Sequence, residues 1–377
     1  MKVLVNSISA KKGGIITYTR NLMRSLVKRN VDVTFALSET APLEADAPVI
    51  SFSVDRVSPI RRAIWEQTKW RQIVRRHKPD ILYSSANFGV LAPPVPQVLL
   101  VREGGQFDPY YLTTVAPRLG VGSIFQRIAR RKLIIASARS SQLVITPTET
   151  MKDLLLGWAG DLAGRVRSNP YGTVPNLFRP TPHSRRWRED GVLRLIFVSA
   201  YYPHKQPGLI AEAMVRLADQ GIPCHLTLTM SLDEIAESSG CLQDHFLLTK
   251  GIERGQVTMA GEIPYEELPE VYRRHDLFVF PSLSETFGHP LTEAMSTGTP
   301  IVAADTAVHR EVCKDAAVYH SPLSSSDLAH QIRRLDSDER LRRANVEKGL
   351  GYVGADYPWE AHVDRLLDSF EQVMAKC

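Results

Sequence analysis

PSLSETFGHPLTEAMST, residues Pro281 to Thr297, lies between two short apolar runs, Leu277–Phe280 and Pro300–Ala303. Runs of that length, bounded by turn residues, read as buried strands, and the stretch between them reads as a loop followed by a helix. Pro290 suits the first turn of that helix, where its missing N–H leaves no bond unmade. The unbonded N–H groups and partial positive charge of a helix start suit a diphosphate. Gly288 lets a ligand approach the backbone closely. Glu285 in the loop and Glu293 one turn beyond Pro290 are spaced to converge on one mouth. Spacing alone fits equally well a surface glutamate plus a first-turn glutamate favoured by the helix dipole.

Outward from this stretch, strand and helix patterns alternate. Leu193–Val198, His225–Met230 and Val257–Ala260 read as strands, and Pro207–Gln220, Leu268–His275 and Pro290–Gly298 as helices. In the first half, Lys2–Val5, Val31–Leu37, Asp80–Tyr83, Val98–Val101 and Leu143–Thr146 read as strands. A Gly13-Gly14 turn precedes a helical pattern carrying Ile16, Leu22, Leu26 and Val27 on one side. Pro147 stops the last of these strands and Thr148 is placed to cap the next helix. Such alternation predicts an α/β chain with parallel, doubly wound sheets. Residues 169–190 hold four prolines and no period, and read as a linker. The length of 377 residues suits two domains, one over 1–178 and one over 190–356, with a last helix at Trp359–Ala375.

Composition narrows the class. The N-terminus has an apolar run of only four residues, too short for a signal peptide, and no stretch approaches the roughly 18 apolar residues of a membrane span. Cys224, Cys241, Cys313 and Cys377 are scattered without CxxC spacing and read as reduced thiols in a cytoplasmic protein, with no zinc framework. Residues 1–178 carry 25 Lys+Arg and 12 Asp+Glu, a net of +13, whereas residues 179–377 carry 21 and 29, a net of −8. A basic half points to an anionic partner. Its densest segments are Arg61-Arg62, Arg71–Lys78 and Arg127–Ile135. The last has Ile124, Phe125 and Ile128 among or beside its charges, a pattern that fits an anionic membrane surface. No aromatic-basic motif supports nucleic-acid binding. Asp336-Ser337-Asp338 is formally a DxD but lies in a polar stretch and reads as a turn or helix cap. GxGxxG is absent, which argues against a dinucleotide oxidoreductase.

The run Val257–Ala317 closely resembles the C-terminal domain of the family 4, or group 1, retaining glycosyltransferases. The shared features, in order, are the Gly261-to-Pro264 turn, a Tyr-containing helix, the Phe280-Pro281-Ser282 strand end, the E-x-F-G-x-P-x-x-E loop and helix, a Gly-x-Pro strand start, an Asp and a Glu-Val pair. Gly13-Gly14, Val144–Glu149, Asn169–Phe178 and Trp359-Glu360 resemble further landmarks of the family. The resemblance implies a GT-B fold. Two Rossmann-like domains would face a central cleft, with the donor on the second, the acceptor on the first, and helix 357–377 crossing back to the first.

The resemblance also implies roles. Glu285 would bond the donor sugar, Glu293 the ribose hydroxyls, and Lys205 would neutralise the departing diphosphate. Backbone at Phe287, Gly288 and His289 would line the sugar. The start of the helix at Pro290, through Leu291 and Thr292, would face the diphosphate. Gly14 would approach the diphosphate or sugar, and Gly261 and Ile263 the nucleobase. The expected donor is UDP- or GDP-linked, with no cofactor and no metal ion. The acceptor is expected to be a glycan or a lipid-linked molecule of bacterial surface polysaccharide or glycolipid assembly, on the inner face of the cell membrane. Two departures stand out. Ala200 occupies a position that is often Arg in the family, and Arg102-Glu103 occupies a region where many relatives carry His. Those two residues are the candidates for the acceptor site. The departures keep two other readings open, a catalytically silent binding subunit and a nucleotide-sugar epimerase of the same fold.

Overall fold

The structure, a computed structural model, describes residues 1–10, 13–43, 46–53, 59–174, 177–180 and 187–376, without the side chains of residues 59, 60 and 121. Part of the proline-rich linker, residues 175–176 and 181–186, and Cys377 lie outside the described residues. The chain divides into two compact units. The first comprises Met1–Phe107, Phe125–Pro170 and Glu360–Cys377, and the second Asp108–Ile124 and Tyr171–Trp359.

Among the described residues, the first unit is built on a seven-stranded sheet of β1 (Lys2–Asn6), β2 (Asp32–Ser38), β3 (Val49–Phe52), β4 (Ile81–Ser84), β5 (Gln97–Leu100), β6 (Leu143–Thr146) and β7 (Val166–Ser168), in the order β3-β2-β1-β4-β5-β6-β7. Every pairing is parallel. A parallel sheet is covered on both faces, which explains its continuous apolar runs. Val5 pairs with Tyr83 and Leu4 with Leu82. Leu4 and Leu82 pack with Trp70 and Val74. The next row points the other way, since side chains alternate along a strand. There Tyr83 meets Phe370 of the last helix, Trp359–Met374, at 5.3 Å between ring centres. That helix is fastened by polar bonds as well. His362 Nδ1 lies 3.0 Å from the Pro170 carbonyl, its Nε2 lies 3.3 Å from the Tyr18 hydroxyl, and Tyr18 bonds Tyr83 at 2.7 Å.

The second unit carries β8 (Leu193–Phe197), β9 (Cys224–Leu228), β10 (Val257–Met259), β11 (Leu277–Phe280), β12 (Ile301–Ala304) and β13 (Ala317–His320), in the order β10-β9-β8-β11-β12-β13, again all parallel. In both sheets the strand order reverses once, between β1 and β4 and between β8 and β11. Open α/β sheets bind ligands outside the carboxyl ends of their strands at such a reversal. Cys224, Cys241 and Cys313 are buried and unbridged. Asp338 of the formal DxD caps the helix Glu339–Asp356, accepting from the Leu341 N–H, and Asp336 bonds Trp187 and Arg188.

Candidate active site

Two loops leave the reversal point of the second sheet, one after β8 and one after β11, and each carries a charged residue singled out in the sequence. Lys205 ends a single turn, Pro203–Lys205, and Gln206 follows in the left-handed region at φ 52° before Pro207 starts the helix Pro207–Ala218. Lys205 Nζ donates to Glu285 Oε1 at 2.5 Å, with both side chains about nine-tenths buried (11% and 13% exposed). The Leu283 N–H donates to the His204 carbonyl at 2.8 Å, which ties the two loops together along the backbone. Burial works to raise the Glu285 carboxyl. The charges of Lys205 and His204 and the hydrogen bond from Lys205 together outweigh it, and the acid stays below its ordinary range.

One carboxylate holds the Lys205 loop at both ends. Asp244, on the helix Leu242–Glu253, accepts from the Tyr201 hydroxyl at 2.9 Å and from the Gly208 N–H at 2.9 Å. A side chain at position 208 has no room, since a Cβ there would come within 2.6 Å of Asp244 Oδ1. Burial raises the Asp244 carboxyl, opposed by its two bonds.

Glu293 stands on the helix His289–Thr297 and is 5% exposed. Its Oε2 accepts from the Tyr272 hydroxyl at 3.0 Å, and burial pushes its carboxyl up to about 7 against that bond. The helix start is built tightly. Gly288 caps it at φ 80°, and a Cβ there would come within 2.9 Å of Leu291 Cδ1. The Leu291 N–H donates to the Gly288 carbonyl at 2.9 Å, so that one backbone donor is already engaged. Thr292 is fully buried and its hydroxyl bonds the His289 carbonyl. Phe287 is buried against Tyr171 and Tyr357, and the His289 ring stacks on Tyr171 at 4.8 Å, in planes 10° apart. Pro290 is half-buried. Gly261 follows β10 at φ 70° with open space at its Cβ position, and Ile263 beside it is half-buried. Ala200 precedes Tyr201, whose N–H donates to Glu234 Oε1 at 3.3 Å. His309, one helix further on, bonds the Ala304 carbonyl through Nδ1 at 2.8 Å, and burial holds it neutral, down to about 4.

The first unit presents the remaining candidates. Gly14 is the exposed first residue of the helix Gly14–Lys28, after Gly13 at φ 70°. Arg102 and Glu103 follow β5. The Arg102 N–H donates to Asn87 Oδ1 at 2.7 Å, and its guanidinium lies 5.9 Å from the Tyr18 ring centre. Glu103 receives Arg130 Nε on both oxygens at 2.6 and 2.8 Å, Gln106 at 2.8 Å and Asn87 at 3.3 Å. Sequence reasoning missed Arg130's partnership with Glu103, the Asp244 clamp and His309. It had met Tyr272 only as part of a family pattern.

Comparison with known proteins fits this geometry. Residues 183–350 match the glycosyl transferases group 1 family and residues 12–176 match glycosyltransferase family 4. The chain belongs to the family 4, group 1 glycosyltransferases. It is 30% identical over 256 residues to D-inositol 3-phosphate glycosyltransferase 1 of Catenulispora acidiphila, covering 64% of this chain and 59% of that one. It spans from about a third to three fifths of the length of the curated relatives it matches. Among solved structures, sucrose-phosphate synthase from Thermosynechococcus elongatus superposes with a TM-score of 0.81 over all of both chains at 19% identity. Anabaena HepE, solved in complex with UDP-glucose, gives 0.74 over 99% of this chain and 100% of that one at 16% identity. Both are likenesses of fold, and they make this a GT-B fold.

Proposed function

We propose that this chain transfers a sugar, with retention, from a nucleoside-diphosphate sugar to a hydroxyl of a glycan or lipid-linked acceptor, as a step in surface polysaccharide or glycolipid assembly. The observation that carries the reading is the buried Lys205–Glu285 pair at the reversal point of the second sheet, in a loop that runs into the Gly288-capped helix of Glu293. The HepE complex with UDP-glucose supports a donor of that class. On donor binding the pair parts, Lys205 turning to the diphosphate and Glu285 to a sugar hydroxyl. Glu293 takes the ribose. The bond from the anomeric carbon to the diphosphate oxygen breaks as the bond to the acceptor oxygen forms on the same face. The acceptor's proton passes to the departing diphosphate, so no strong protein base is required. Lys205 and the helix N-terminus supply the positive charge where negative charge grows, so transfer proceeds in EDTA.

A melting panel with UDP, GDP, ADP and CMP tests the donor site. A nucleotide at 100 times its Kd adds about 2.7 kcal/mol. One nucleotide stabilising the wild type, and Glu293→Ala much less, identifies the base. If none stabilises the wild type, the reading falls. Contact with an anionic membrane belongs to the same proposal and rests on Phe125, 71% exposed, and Ile128, 38% exposed, among the arginines of the helix Val121–Arg139. Failure to sediment with anionic vesicles counts against it. Among the described residues no helix is long and apolar enough to cross a membrane.

A further inference from the structure

The last helix, Trp359–Met374, carries Ser369, Gln372 and Val373 on one face, and Lys376 just past its end continues their spacing of three and four residues. That face looks onto the amino edge of the first sheet, the edge away from Arg102 and Glu103. Leu143 opens β6 there, and Arg165 immediately precedes β7, which borders the sheet. Between helix and sheet lies an open hollow of about 400 Å³, lined in part by the buried side chains of Leu143 and Val373.

Four cations line this hollow and no carboxylate does. They are Arg139 at the end of the helix Val121–Arg139, Arg165, Arg167 of β7, and Lys376. Asp368 and Glu371 of the last helix are exposed but lie off the lining face. Arg139 is answered from outside the lining by Asp161, which accepts two bonds from it at 2.8 and 2.9 Å. Those bonds and the charge of Arg139, with Arg165 adding its own, hold the Asp161 carboxyl below its usual range, so one acid serves two guanidinium groups. Among the described residues no carboxylate forms an ion pair with Arg165, Arg167 or Lys376. Neutral acceptors set the two arginines in place instead. Arg165 Nη1 donates to the Arg139 carbonyl at 3.2 Å, and Arg167 Nη1 to Gln372 Oε1 at 2.5 Å. Like charges drawn together from three chain segments repel, and an anion among them removes the repulsion. Guanidinium groups fit phosphate oxygens two at a time, and a hollow of this volume has the size of a small-molecule site.

We propose that this hollow is a second ligand site, for a phosphate-bearing molecule, on the amino edge of the first sheet. Its occupant bridges the last helix to β6 and β7 and so steadies the first unit. The site goes beyond the transfer reading and does not depend on it.

The test uses the full chain. Calorimetry compares diphosphate and inorganic phosphate with chloride at equal ionic strength, and amide hydrogen exchange locates what binds. The expected result is diphosphate binding that slows exchange across residues 139–143, 164–167 and 369–376. Arg165→Ala and Lys376→Ala should each weaken it about ten- to a hundred-fold, the loss of one charge-assisted bond. Gly164 lines the hollow with open space at its Cβ position, so Gly164→Asp adds a carboxylate without removing a cation and should abolish binding. Arg75→Ala, an exposed change on the helix Arg71–His77, should leave binding at the wild-type value. Sedimentation with phosphatidic acid vesicles against phosphatidylcholine vesicles separates the sources. Vesicle binding without binding of the soluble anions, lost in Gly164→Asp, identifies a lipid-borne phosphate. The proposal is overturned if neither soluble anion nor vesicle binds, or if Arg75→Ala weakens binding as much as Arg165→Ala. It is overturned as well if diphosphate binding survives Gly164→Asp and is lost in the Lys205→Ala, Glu285→Ala double variant, which would put the anion at the donor site and leave the transfer reading standing.

Discussion

Replacing Glu293 by Gln removes a charge from a site that disfavours it and keeps the shape and the acceptor for Tyr272. Burial lifts this carboxyl from 4.5 to about 7. The folded protein therefore holds the proton more tightly than the unfolded chain does. The stabilisation this gives is fully present below pH 4.5 and is lost as pH rises through 7. A shift of that size corresponds to roughly 3 kcal/mol of penalty once both states are ionised. At pH 5 most of the penalty is absent, since the folded state is still protonated. Glu293→Gln should then outlast the wild type by about 1 kcal/mol or less at pH 5 and by about 3 kcal/mol at pH 8. Urea unfolding of both proteins, read by fluorescence at half-unit steps across that range, measures the gap. Because the chain has two units, the transition that the nucleotide shifts is the one to compare. A gap that stays constant from pH 5 to pH 8 would refute the raised acid. The same variant should bind nucleotide less well, because a neutral amide is a poorer partner for two ribose hydroxyls than a carboxylate.

Three further outcomes follow from the geometry. Lys205→Ala strands the buried Glu285 carboxylate and should cost about 3–5 kcal/mol of stability along with turnover. Adding Glu285→Ala should restore much of the stability in urea melts and none of the product. Tyr201→Phe leaves Asp244 with one bond fewer and should cost about 1–3 kcal/mol. It should also lower kcat more than it changes nucleotide affinity, since the Lys205 loop is what Asp244 holds. Gly288→Ala meets both a positive φ and the Leu291 side chain, and should cost about 1–3 kcal/mol while weakening nucleotide binding by calorimetry.

The strands that the sequence revealed are those buried on both faces, such as Leu277–Phe280, because burial leaves an unbroken apolar run. Val49–Phe52, Val166–Ser168 and Ala317–His320 escaped notice. Each lies at the edge of its sheet, and two are half-buried or only three residues long. Lys205, Glu285 and Glu293 were legible because a loop and a helix start place them at short range. The Asp244 clamp was not, since it joins Tyr201 to a residue 43 positions away with no spacing to betray it. The basic segments illustrate a subtler loss. Read along the chain, Arg61-Arg62 and Arg127–Lys132 are simply dense charge. The helical period divides them, leaving Arg61 and Lys132 exposed and turning Arg62 and Arg131 partly inward. Glu103 read as a candidate for the acceptor site, and its partner Arg130, 27 positions on, donates to both its oxygens.

The first unit is completed by a helix that follows the second unit in the chain. During synthesis, β1–β7 leave the ribosome about 190 residues before Glu360 does, an interval of roughly 10–40 s at ordinary elongation rates. For that time the Tyr18 and Tyr83 surface lacks Phe370 and His362, whereas nearly all of the second unit can close as soon as it emerges. A nascent chain halted between the two should therefore be protease-resistant in its later half and cleavable in its earlier one, an inversion of the usual order in which domains mature.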